Sequence, residues 1–151
     1  MKKELQTLEI YTKEIKNSII SERILQILSW NIKKAEYNKK WYYGLTLMSF
    51  MFNISIPVIN EFNLERKWIT IISALVTFFT GSLAIFKFKE SWHRYRNSVE
   101  EIKSECIKCV SNLEEYDTKN KESILISKIE NINFQEKKNW TKTKFKTKEN
   151  K

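Results

Sequence analysis

Turn-forming residues are nearly missing from this chain of 151 residues, which has two Gly and one Pro. So small a supply disfavours turn-rich all-β folds and leaves no Gly-rich loop to cradle a phosphate. One His and two Cys offer little for metal catalysis and no disulfide framework. There is no Walker loop, no dinucleotide fingerprint and no nucleophile with a base beside it, so the chain reads as a non-enzyme without cofactor or metal. Positive charge, by contrast, is abundant: 27 Lys and Arg stand against 18 Asp and Glu, a formal net charge of +9.

That charge sits at the two ends. The first forty residues hold nine basic and five acidic side chains, and residues 87–151 hold sixteen and eleven. Between them lie only Glu61, Glu65, Arg66 and Lys67, which cancel. Residues 41–60 and 68–86 are free of charge altogether. At about 1.5 Å per helical residue these stretches reach about 28–30 Å, the thickness of a bilayer hydrocarbon core. A buried hairpin in a soluble bundle is the alternative, but a chain of 18.2 kDa has little interior to hide it.

The ends of the two stretches fit a membrane. Trp41, Tyr42 and Tyr43 open the first, Trp68 opens the second and Trp92 follows its exit, as amphipathic rings do at headgroup level. Connection 61–67 is short enough to force an antiparallel hairpin and carries no positive excess. Lys33, Lys34, Lys39 and Lys40 precede the first span, and Lys87, Lys89, Arg94 and Arg96 follow the second, which keeps both flanks on the cytoplasmic side. The expectation is a multi-pass protein of the cell (inner) membrane, with the lipid bilayer as its first partner, both termini cytoplasmic and no cleavable signal peptide.

Thr70, Ser73, Thr77, Thr80, Gly81 and Ala84 recur at steps of three and four, which places small and hydroxylated side chains on one face of the second span. Ser49, Asn53, Pro57 and Asn60 do the same on the first. Two uses are open: close helix packing with hydrogen bonds across the interface, or the lining of an aqueous path in an oligomer. Pro57 removes one backbone hydrogen bond and is expected to kink the first span.

Beyond the second span, Phe88, Trp92, Tyr95, Val99, Ile102, Cys106, Cys109, Leu113 and Tyr116 form an a/d register with alternating steps of 4 and 3. The pattern predicts one long helix continuous with that span. Ile20, Ile24, Ile27, Leu28 and Ile32 supply a partner face upstream, and Leu125, Ile129 and Ile132 another downstream. Cys106 and Cys109 have metal-pair spacing, but on the seam they read as small hydrophobes. Residues 137–151, with seven Lys and one Glu, are expected to be a disordered tail, either simply solvated or drawn to anionic headgroups. Nucleic acid is set aside as a partner.

The expected fold is thus an all-α membrane protein: a two-transmembrane helical hairpin with long helices extending into a cytoplasmic helical bundle. Its divisions are an N-terminal helical region (1–40), first span (41–60), external loop (61–67), second span (68–86), helical region (87–136) and tail (137–151).

Three segments carry a resemblance. Ala35-x-Tyr37-Asn38-Lys39-Lys40-Trp41-Tyr42-Tyr43 enters the first span, and Phe86-Lys87-Phe88-Lys89-Glu90-Ser91-Trp92-His93-Arg94-Tyr95-Arg96 leaves the second. Ile129-Glu130-Asn131 through Glu136 and Trp140 then forms a closing helix. Together, over residues 20–140, they resemble the SLATT family (SMODS and SLOG-associating two-transmembrane effector domain) in its standalone version. The resemblance implies a membrane effector of a prokaryotic conflict or antiviral defence system. Such an effector oligomerises into a pore that depolarises or permeabilises the cell, triggered by a nucleotide second messenger or a sensor protein. A non-conducting, membrane-anchored interaction module that tethers a partner is the alternative. Lys39, Lys40, Arg94 and Arg96 form a basic collar, either anchoring the topology or receiving an anionic signal or ion at the inner mouth. Within it, Glu90 is spaced to pair with Arg94.

Overall fold

The structure, a computed structural model, describes residues 8–61, 66–118 and 120–145, apart from the side chains of residues 60, 66, 114 and 139–145. Among these residues five α-helices follow in order: α1 (Leu8–Thr12), α2 (Ser18–Glu61), α3 (Arg66–Phe86), α4 (Phe88–Val110) and α5 (Lys121–Phe145), with a 3-10 turn at Glu114–Tyr116. No strand occurs among the described residues. The chain divides into two units: an apolar one, residues 37–92, and a polar one, residues 1–36 and 93–151. Helices α2 and α4 contribute to both.

Asn17 starts α2, its side-chain oxygen accepting from the backbone N–H groups of Ile19 and Ile20 at 3.0 and 3.4 Å. From there α2 runs 44 residues, through Pro57. The proline removes a donor without ending the helix.

In the apolar unit the less exposed positions of α2 include Leu45, Ser49, Phe52, Ile56 and Ile59, and those of α3 include Ile69, Ile72, Val76, Phe79 and Leu83. Both sets step by three and four, so each helix offers one apolar ridge to the other. Phe52 stacks on Phe79 at 5.7 Å, with ring planes 4° apart, and Trp41 on Phe88 at 6.3 Å. The earlier residue, Trp41, meets the later Phe88, and the later residue, Phe52, meets the earlier Phe79, an antiparallel arrangement. Both α2 and α3 contain a stretch long and apolar enough to cross a membrane, and 6% and 0% of those stretches is buried within the chain. A soluble core hairpin would be mostly buried.

The second span and the amphipathic helix after it do not form the single helix expected from the register. Lys87, with φ 48°, separates α3 from α4. A lysine in the left-handed region costs about 1–3 kcal/mol. At this break Phe88 packs against Trp41 and, at 5.4 Å, against Phe86. The Lys87 carbonyl accepts the Ser91 N–H at 3.0 Å and so opens α4.

The seam also stops short of Tyr116. Asn112, at φ 51°, ends α4 in a Schellman arrangement: Leu113 N–H donates to the Lys108 carbonyl at 3.0 Å and Asn112 N–H to that of Cys109 at 3.3 Å. Leu113 is consequently exposed, whereas Tyr116 is buried from the 3-10 turn. At the other end of the chain α5 continues to Phe145, past the boundary expected at 136, because nothing in 137–145 breaks a helix. Residues 146–151 of the expected tail, and 62–65 of the expected loop, lie outside the described residues.

The core of the polar unit joins Ile24 and Leu28 of α2, Val99, Ile102 and Cys106 of α4 and Leu125 and Ile129 of α5, all fully buried. Asn31 occupies the same α2 seam, equally buried, and both polar atoms of its amide lack a partner among the described residues. Replacing it by an apolar residue removes an unsatisfied group, so Asn31→Leu should stabilise the chain by about 1–3 kcal/mol. Thermal unfolding of the full chain in detergent checks this; a lower Tm would show that the amide is satisfied in solution.

Candidate functional site

The hydroxylated stripe of α3 does not lie between the two helices of the apolar unit. Thr70, Ser73, Thr77 and Thr80 are exposed, Gly81 is half-buried, and a Cβ built on Gly81 would meet nothing within 4 Å. On α2 the expected face is split: Ser49 is buried in the apolar seam, Asn53 is exposed and the Asn60 side chain lies outside the described residues.

Five polar side chains of the two helices use their donors on their own helices. Thr77 donates to the Ser73 carbonyl at 2.9 Å, Thr80 to that of Val76 and Ser82 to that of Phe78 at 2.8 Å. On α2 the Asn53 amide donates to the Ser49 carbonyl at 2.8 Å and Ser55 to that of Met51 at 2.9 Å. A side chain satisfied by the preceding turn tolerates an apolar surrounding, and its oxygen still has acceptor capacity to offer outward.

Aromatic residues gather at one end of the apolar unit. Tyr43 meets Trp92 at 5.9 Å and Tyr42 at 5.4 Å, Tyr37 meets Trp41 at 6.1 Å, and the Lys39 ammonium sits 5.4 Å from the Trp92 ring centre. Trp41 and Tyr43 are exposed, Tyr42 and Trp92 half-buried. Phe88, which the sequence assigned only to the seam, belongs to this group through Trp41. Trp68, also exposed, lies in the first turn of α3.

The collar residues fall in different units, Lys39 and Lys40 in the apolar one and Arg94 and Arg96 in the polar one. Arg94 does not pair with Glu90. Its Nε lies 3.1 Å from Glu136 of α5, whose side chain is only 3% exposed, while Glu90 meets Lys87 at 4.0 Å and Arg96 meets Glu100 at 2.9 Å. A buried carboxylate attracts a guanidinium more strongly than a solvated one on the same helix can. Leu125, Ile129, Ile132 and Glu136 step by 4, 3 and 4, so a charge at a seam position was the sequence signal for this pair. Burial raises the Glu136 carboxyl, against the pull of Arg94.

Three further features of the polar unit bear on chemistry. A cleft of about 300 Å³ is lined by Arg23, Gln26, Ile27, Trp30, Asn133 and Lys137, with Arg23 held by Glu130 at 2.7 Å. The Tyr116 hydroxyl donates to Glu105 at 2.6 Å, and Lys128 joins that carboxylate at 3.4 Å. Cys106 and Cys109 are buried free thiols, and burial pushes Cys106 up to about 12, far from a thiolate at neutral pH. Among the described residues no group of three His, Cys, Asp or Glu is placed to hold a metal ion.

A family model described as "Protein of unknown function (DUF4231)" matches residues 26–124, more than half of the chain. No curated protein and no solved structure matches.

Two outcomes follow from the Arg94–Glu136 pair. Arg94→Ala leaves a buried charge alone and should cost about 3–5 kcal/mol, most of it regained in Arg94→Ala/Glu136→Leu, as a double-mutant cycle of unfolding free energies would measure. The folded chain also holds the Glu136 proton more tightly than the unfolded chain. Its contribution to stability is therefore present at low pH and lost as pH rises through and above the ordinary carboxylate range. Glu136→Gln should remove that loss from the stability–pH curve; an unaltered curve would mean that Glu136 titrates normally.

Proposed function

The chain belongs to the DUF4231 family, and we propose that it is a two-span integral membrane protein that assembles with copies of itself into a pore. The observation that carries this reading is the outward placement of Thr70, Ser73, Thr77 and Thr80 beside the open space over Gly81. A single hairpin in a bilayer would present this polar face to lipid. Copies that bring their α3 faces together cover it, with small residues allowing close approach and hydroxyl oxygens turned to a shared centre. One hairpin cannot enclose water, so conduction requires several copies.

In this proposal both termini are cytoplasmic, as the Lys and Arg of both outer flanks favour. The SLATT resemblance supplies the setting: an effector that depolarises the cell in response to a nucleotide signal or a partner protein. The Arg23–Trp30–Lys137 cleft offers cations and an indole to a planar anion of that kind. The second reading, a non-conducting anchored module, is favoured by the internal satisfaction of Thr77, Thr80 and Asn53, which lets the same faces rest against lipid or another helix without water.

Membrane potential and cysteine cross-linking in bacteria expressing the chain separate the two. The pore reading expects depolarisation, Thr77→Cys oligomers, and a loss of most ion flux in Thr77→Val/Thr80→Val, which keeps side-chain shape but removes the lining oxygens. Intact oligomers with an unchanged potential would favour the tethering module. Absence of oligomers would refute the assembly itself.

A further inference from the structure

The only other glycine in the chain is Gly44, on α2, and a Cβ built there would also meet nothing within 4 Å. Glycine inside a helix gives up stability relative to alanine, and no contact among the described residues requires it here. The space over Gly44 is a groove of about 360 Å³ lined by Lys40, Trp41, Gly44, Leu45, Met48 and Phe79. That volume is at the small end of the about 300–1,000 Å³ typical of ligand sites.

The lining is graded along the helix. Lys40 and Trp41 stand at the end where α2 becomes uncharged, and Gly44, Leu45 and Met48 follow one and two turns further in, with Phe79 contributed by α3. From Lys40 to Met48 the groove extends about 12 Å at 1.5 Å per residue. A cation and an indole at the mouth of an apolar trench match an anionic headgroup above an acyl chain, because the headgroup needs charge compensation and the chain needs only displaced contact area. Another copy of this chain fits less well, since it brings its own Lys39 and Lys40 to the same level and like charges repel.

We propose that this groove is a binding site for one anionic phospholipid, with its phosphate at Lys40 and an acyl chain along Gly44, Leu45 and Met48. The proposal rests on the membrane location argued above but not on pore formation. Binding there would place a counter-charged, chain-bearing molecule beside Lys40 and make the lipid a structural partner of the α2–α3 pair.

The test is native mass spectrometry of the full chain released from nanodiscs of mixed phosphatidylglycerol and phosphatidylcholine. The wild type should retain phosphatidylglycerol in preference to phosphatidylcholine. Gly44→Leu projects an isobutyl group from the floor of the groove and should reduce retention of both lipids about tenfold. Lys40→Gln should lower the preference for phosphatidylglycerol about fivefold while leaving chain retention intact. Lys67→Gln, at the far end of the apolar unit, should behave as wild type, and circular dichroism should show unchanged helicity in all three variants. Equal retention of the two lipids by the wild type, or undiminished retention in Gly44→Leu, overturns the proposal. Alkaline carbonate extraction separates the failures: a chain released from membranes refutes the membrane location and the groove together, whereas an embedded chain without lipid preference refutes the groove alone.

Discussion

The structure depends on a single helix, α2, presenting one packing register to two different surroundings. Its residues Ile24, Leu28, Asn31 and Ala35 are buried in the polar unit, and Leu45, Ser49, Phe52, Ile56 and Ile59 form the ridge of the apolar unit. Across 44 residues the steps of three and four continue, with neither Gly44 nor Pro57 ending the helix. In the apolar unit α3 packs antiparallel to it, and in the polar unit α4 and α5 complete the core around its N-terminal half.

Strain and compensation collect where the partner helices depart from their own regularity. The Lys87 break interrupts a register that would otherwise run on, and the aromatic contacts of Phe88 with Trp41 and Phe86 accompany it. At the other end of α4, Asn112 closes the helix through two backbone hydrogen bonds and frees Tyr116 to enter the core from a separate turn. Glu105 lies at that corner; burial works against its charge, but the Tyr116 hydroxyl together with Lys108 and Lys128 holds it below the ordinary carboxylate range. Glu136 shows the reverse balance, with burial prevailing over Arg94. Carboxylates on neighbouring elements thus respond to pH in opposite directions.

Polar groups in the apolar unit follow a different rule. In hydrocarbon an unsatisfied donor costs several kcal/mol, and a helix offers the carbonyl four residues back as the nearest remedy. Thr77, Thr80, Ser82, Asn53 and Ser55 all take it. Backbone satisfaction makes a hydroxylated face compatible with lipid, so its functional meaning lies in what covers it rather than in the face alone.

By itself the sequence determined the helical class, the two stretches long enough to cross a membrane and the seam positions in α2, α4 and α5. Charge-free length and a repeat of three and four are one-dimensional properties, and both are written directly in the residue order. It could not reveal that Arg94 turns to Glu136, forty-two positions away, instead of to Glu90 one turn back. Nor could it place the α3 hydroxyls outside the α2–α3 seam, interrupt the register at Lys87, or leave a groove over Gly44. Those outcomes were decided only in the tertiary structure, because they depend on which residues distant in sequence compete for the same burial, and periodicity carries no information about the winner.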